Sequence, residues 1–174
     1  MNKTLIIDGY NMLYQWEETK YLMENEDDSV DFARTKLVRE VANYLGYSDQ
    51  KGIIVFDAYL LAGNEGEAIE ESPSLLVLYT KTGETADERI EFIISQTPKE
   101  QRESLAVVTD DNLLQKMVFS YGASRLTCNE LAYCFKSIAD RENKRENNDY
   151  CRNTLNTVVS EDTWCLLEAI RRRK

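Results

Sequence analysis

Lys3-Thr-Leu-Ile-Ile-Asp8 is a short apolar run that ends in an acid, and Gly52-Ile-Ile-Val-Phe-Asp57 repeats that form. Ser74-Leu-Leu-Val-Leu-Tyr-Thr80 and Ser104-Leu-Ala-Val-Val-Thr-Asp110 are further runs of the same kind. Four to six consecutive apolar, partly β-branched residues between turn signals read as parallel strands buried on both faces. A fifth, weaker strand is expected at 123–127. Between the runs the apolar period lengthens to that of a helix. After Ser29 as an N-cap, Val30, Ala33, Leu37, Val41 and Leu45 share one face, with Gly46 as the stop. Thr85-Ala-Asp-Glu88 has the form of a capping box, followed by Ile90, Ile93 and Ile94. Asp111 is placed to cap a helix carrying Leu113, Leu114, Met117 and Val118, ended by Gly122. Further helices are expected over about 129–142 and 161–172. Alternating strands and helices predict a three-layer α/β/α domain with a mostly parallel central sheet.

In such sheets ligands bind outside the carboxyl ends of the strands. Asp8, Asp57 and Asp110 end three of the four strong runs, and the remaining run leads through Lys81-Thr-Gly83 to Glu84 and Asp87 at the head of a helix. These acids are therefore expected on one rim. Each alone is explained by a turn or a cap, and their convergence is what needs another account. Two carboxylates about 4 Å apart repel by roughly 4 kcal/mol at an effective dielectric near 20. A divalent cation is the simplest offset. Oxygen ligands select a hard ion, Mg²⁺ or Mn²⁺, over zinc, and such an ion suits phosphoryl chemistry.

Composition narrows the chemistry further. The 174 residues contain no histidine, which removes Ser-His-Asp triads, Cys-His pairs, two-histidine ribonuclease mechanisms and histidine-bearing zinc sites. The cysteines Cys128, Cys134, Cys151 and Cys165 form no CxxC pair and read as ordinary thiols. The longest apolar run, Leu75 to Tyr79, is far short of the about 20 residues of a membrane span. No signal-peptide h-region follows Lys3. A cytoplasmic protein without membrane association is the expectation. At 43% apolar and 30% charged, a single domain over 1–174 is expected, with a C-terminal helix and basic tail at about 160–174. Residues 63–72 read as an exposed, mobile loop, and 141–152 as a charged linker.

The segments Ile7-Asp8-Gly9-Tyr10-Asn11, Val55-Phe56-Asp57-Ala58, Thr82-Gly83-Glu84-Thr85-Ala86-Asp87 and Val108-Thr109-Asp110-Asp111 together resemble the NYN domains of the PIN-like nucleases, in particular the YacP-type bacterial subgroup. Each motif alone is weak, and the four in order cover nearly the whole chain. The resemblance implies a PIN-like fold with strand order 3-2-1-4-5, Mg²⁺-dependent endoribonuclease activity, and cleavage of translated mRNA in association with the ribosome. It implies Asp8, Asp87 and Asp110 as metal-binding, catalytic carboxylates, which is also the assignment from the rim. Asn11 would orient the phosphate or a metal-bound water, Asp57 and Asp111 would be auxiliary ligands or support the ligands from behind, and Glu84 would be a further one. Gly9 would let the backbone approach closely.

The net charge of −10 runs against the basic footprint of most nucleic-acid binders. It is uneven: residues 1–135 carry 12 basic and 24 acidic side chains, and 136–174 carry 9 and 7. A partner that supplies the RNA, such as the ribosome, accommodates that balance. Lys81, Arg89, Lys116 and Arg125 are the RNA-contact candidates near the rim, with Lys144, Arg145 and Arg171 to Lys174 farther off; a solvated surface role is the alternative for each. Tyr10, Tyr14 and Trp16 are assigned to the core rather than to base stacking. A receiver domain or a haloacid-dehalogenase phosphatase lacks the required acidic pattern here. A non-catalytic RNA or ribosome binder with the nuclease fold is the rival function. A DNA-directed 5′-nuclease is disfavoured by the missing helical arch.

Overall fold

The computed structural model describes residues 3–25, 29–57 and 66–141. The chain divides into two compact units, Met1–Phe135 and Lys136–Lys174. In the second, residues 136–141 are described and are helical. The expected 161–172 helix, the basic tail, Lys144, Arg145, Cys151 and Cys165 lie outside the described residues.

In the first unit, β1 (Thr4–Asp8) is followed by α1 (Gly9–Gln15), α2 (Glu17–Asn25) and α3 (Ser29–Ser48). Then come β2 (Lys51–Phe56), β3 (Glu67–Ser72), β4 (Leu75–Tyr79), α4 (Ala86–Gln96) and the single turn α5 (Lys99–Arg102). β5 (Leu105–Val108), α6 (Asn112–Ser120) and β6 (Ser124–Leu126) follow, and residues 128–135 are helical. The six-stranded sheet has the order β3-β4-β2-β1-β5-β6. Its parallel strands, β4-β2-β1-β5-β6, keep the implied 3-2-1-4-5 order.

The extra strand corrects one expectation. Residues 67–72, expected within a loop, pair antiparallel with β4, with a bulge between Glu70 and Ser72. Only Ile69 of β3 packs on the core, while Glu67, Glu70 and Glu71 are exposed. Charges on an edge strand discourage pairing with other chains, and here they also mask the strand in the sequence.

Along β1 the side chains alternate between the two faces. Leu5 and Ile7 join Met12, Leu13, Ala33, Leu37, Val41, Leu45, Ile54 and Phe56 under α1 and α3. Ile6 joins Val55, Ile90, Ile94, Val107, Leu114 and Val118 under α4 and α6. Both faces are thus covered, which is why the strand reads as a continuous apolar run. Truncating fully buried Ile7 or Ile90 to Ala removes about 2–5 kcal/mol of stability.

Two helix details differ from expectation. α3 passes through Gly46 to Ser48, and the left-handed residue that follows is Asp49, at φ 51°. Gly46 faces open space, so the buried stripe ending at Leu45 carries the helix over it. Leu113 is 75% exposed, leaving Leu114 and Val118 as the buried face of α6.

Candidate active site

Asp8 is the last residue of the central strand β1 and the N-cap of α1, where its Oδ1 accepts the Asn11 N–H at 3.1 Å. Gly9 makes that turn possible. A Cβ there would lie 2.4 Å from the Phe56 ring and 2.9 Å from the Val55 carbonyl oxygen, so any side chain forces strands β1 and β2 to shift. The strand thereby delivers a carboxylate, only 7% exposed, into the floor of a cleft.

That cleft encloses about 690 Å³ and is lined by Asp8, Tyr10, Asn11, Tyr14, Asp57, Thr85, Ala86, Asp87 and Asp111. Burial pushes the Asp8 carboxyl up to about 6, and the negative fields of Asp87 and Asp111 add to the rise. Hydrogen bonds from the Asn11 N–H and the Thr109 hydroxyl pull against it. Asp87 is also held above the ordinary carboxylate range, by burial first and then by Asp111, Asp57 and Glu88. A negatively charged cleft with a desolvated anion at its base favours binding a cation or a proton.

The neighbouring elements place the other acids. Thr85 caps α4 in a complete capping box with Glu88, which sets Asp87 in the first turn at the cleft wall. Asp111 caps α6, its Oδ1 accepting from Leu113 N at 2.7 Å and Leu114 N at 2.9 Å. Asp57 follows β2 and receives the Thr80 hydroxyl at 3.5 Å. At Asp8 and Asp111 a helix cap and a place in the cleft lining therefore coincide.

Asp110 is turned differently from Asp111. Its Oδ1 accepts the Cys128 N–H at 3.2 Å, and its own N–H donates to Asn11 Oδ1 at 2.8 Å. The Cys128 thiol donates to the same Asn11 oxygen at 3.3 Å. Burial, reinforced by Asp110, pushes that thiol up to about 12, which keeps it protonated as the donor. Among the described residues, no three Asp, Glu or Cys side chains gather closely enough to hold one ion.

The basic candidates sit outside the cleft lining. Glu84 closes the turn before α4 by accepting from Lys81 N at 3.2 Å and from Arg89 at 2.6 Å, so Arg89 is ion-paired. Arg125 donates to Gln115 at 3.2 Å. Lys81 and Lys116 are exposed. No described helix is long and apolar enough to cross a membrane.

The aromatic residues correct a further expectation. Trp16 is buried, at 6% exposure, but Tyr14 is 57% exposed and lines the cleft with the half-buried Tyr10. Tyr10 and Tyr14 are spaced i and i+4 on α1. That helix is too short and too mixed in sequence to be read from periodicity, so nothing in the sequence separated its cleft face from its core face.

The YacP-like NYN domain family matches residues 5–172. Across 141 residues the chain is 36% identical to YacP of Bacillus subtilis (strain 168), covering 81% of this chain and 79% of that one. The crystal structure of Rae1 (YacP) from Bacillus subtilis superposes with a TM-score of 0.68 at 29% identity, covering 99% of this chain and 96% of that one. Its W164L mutant gives a TM-score of 0.69 at 31% identity over 85% and 83% of the two chains. With the four motifs arranged around one end of the sheet, the chain belongs to the YacP-like NYN domain family, a kinship that supports a nuclease-type, RNA-related function.

Proposed function

We propose that this chain is a divalent-metal-dependent endoribonuclease that hydrolyses RNA phosphodiester bonds, acting in the cytoplasm on mRNA in association with the translating ribosome. The observation that carries the reading is the buried Asp8 carboxylate at the end of the central strand, facing Asp87 and Asp111 across an open cleft. A buried carboxylate flanked by two more is costly for the fold alone and useful for a cation. The donor chemistry fits Mg²⁺ or Mn²⁺, because all the ligands are oxygens. Mg²⁺ commonly binds through one or two carboxylates and keeps several waters, which suits a cleft without a three-carboxylate cage. Asp8 would hold it together with Asp87 or Asp111, the remaining carboxylate acting through a retained water.

When bound, the ion supplies an activated water and shields the phosphate charge. The rest falls to the chain. Asp8, held by the Asn11 N–H, keeps its carboxylate fixed at the floor of the cleft. The Asn11 carbonyl is committed to Asp110 and Cys128, which leaves its NH₂ group to donate to a phosphate oxygen. The first turn of α4, at Thr85 to Asp87, brings backbone N–H groups to the wall, where a phosphate is favoured. With no histidine in the sequence, protons move through the carboxylates and solvent.

The rival reading is a non-catalytic RNA or ribosome binder, favoured by the absence of a three-carboxylate cluster among the described residues. Incubating the protein with labelled RNA in Mg²⁺, Mn²⁺ or EDTA separates the two. Cleavage in either metal and none in EDTA is the expected result. RNA or ribosome binding with no cleavage in any of the three favours the rival.

A further inference from the structure

Tyr10 and Tyr14 stand one turn apart on α1, the helix that Asp8 itself caps, so the aromatic pair and the carboxylate are fixed in one rigid element. Their rings lie 6.5 Å apart at 30°. Tyr10 is immobilised from behind: its ring meets Phe56 edge-on at 5.6 Å, the Arg34 guanidinium sits 5.3 Å over it, and Arg34 also donates to its hydroxyl. Arg34 is in turn held by Asp31 at 2.6 Å. Tyr14 leans on this anchored ring while remaining 57% exposed in the cleft. A large aromatic held against an anchored ring, exposed and beside a phosphate-directed site is poorly explained by packing.

We propose that Tyr14, backed by Tyr10, is a stacking platform for an unpaired nucleobase of the RNA, which registers the strand so that a neighbouring phosphate reaches Asp8. The proposal rests on the ribonuclease reading and deepens it by specifying a single-stranded substrate. Six residues of helix separate Asp8 from Tyr14, about 9 Å along the axis, so the stacked base lies beside the scissile phosphate rather than at it. Stacking is tolerant of base identity and unavailable to bases paired within a duplex. It also supplies affinity without positive charge, in a chain whose net charge is −10.

The test uses full-length chain carrying Asp8→Asn, so that RNA is bound but not cut, with single-stranded RNA containing 2-aminopurine and the same RNA annealed as a duplex. Expected are quenching of the 2-aminopurine on binding the single strand, and about five- to hundredfold weaker binding with loss of quenching when Tyr14→Ala is added. Tyr14→Phe and Tyr14→Trp restore both. Because Tyr14 is largely exposed, these variants fold as the parent does. Equal affinity and equal quenching for Tyr14→Ala, or equal sensitivity of the duplex to that change, overturn the platform while leaving the nuclease reading standing. Failure of every variant to bind either RNA overturns the platform and leaves the nuclease reading to the cleavage test with ribosomes.

Discussion

The side-chain carbonyl of Asn11 accepts the backbone N–H of Asp110 at 2.8 Å, joining the ends of β1 and β5 across 99 positions of sequence. Asn11 also receives the Cys128 thiol, so one amide oxygen fixes three segments at the sheet edge. The spacing of the Asp8 and Asp110 backbones therefore depends on a residue that is not itself acidic.

Asn11→Ala removes that acceptor and leaves a partly buried N–H without its partner. A loss of about 1–3 kcal/mol follows, seen as a melting point lower by roughly 2–12 °C. RNA cleavage should fall by more than the stability change explains. A variant with wild-type melting would show that the Asn11 bridge does not hold the edge together.

Asp8→Asn keeps the cap acceptor and the shape while deleting the charge. The folded Asp8 carboxyl sits at about 6, against 3.8 for its ordinary value, so the native state holds the proton more tightly than the unfolded chain. Its contribution to stability is full below pH 3.8 and is lost as pH rises through 6. In EDTA at pH 7.5, Asp8→Asn should be more stable than wild type by of order 3 kcal/mol, with the gap closing by pH 4. Wild type melting above the variant at pH 7.5 in EDTA contradicts the strained carboxylate.

Divalent cations should close that gap. At a hundredfold excess over Kd, Mg²⁺ or Mn²⁺ stabilises the wild type by about 2.7 kcal/mol, or roughly 5–11 °C. Asp8→Asn should show a small shift or none. Identical shifts in the two proteins would place any ion elsewhere.

Arg89 is committed to Glu84, with the two side chains only 24% and 23% exposed. Arg89→Ala should destabilise the turn before α4 by about 1 kcal/mol and change RNA affinity less than threefold. A uniform loss of affinity, with a salt dependence flatter by about one charge, would instead make Arg89 a phosphate contact.

Much of the fold was legible because both faces of the sheet are buried. The runs at Leu5 to Ile7, Ile53 to Phe56, Leu75 to Tyr79 and Leu105 to Val108 are continuous for that reason. The caps at Thr85 and Asp111 were legible because their hydrogen bonds are local. β3 was not, since an edge strand needs one inward side chain, Ile69, and its glutamates look like a loop. The cleft face of α1 was hidden too, because Tyr14 and Trp16 differ in burial through tertiary packing alone. The different settings of Asp110 and Asp111 depend on Cys128, far along the chain.

The most direct test of the central claim is cleavage of a labelled mRNA in Mg²⁺ by wild type and by Asp8→Asn, with and without translating ribosomes. Cutting by wild type alone, chiefly when ribosomes are present, is the predicted result. Equal cutting by Asp8→Asn, or ribosome binding by both proteins with no cutting by either, would contradict it.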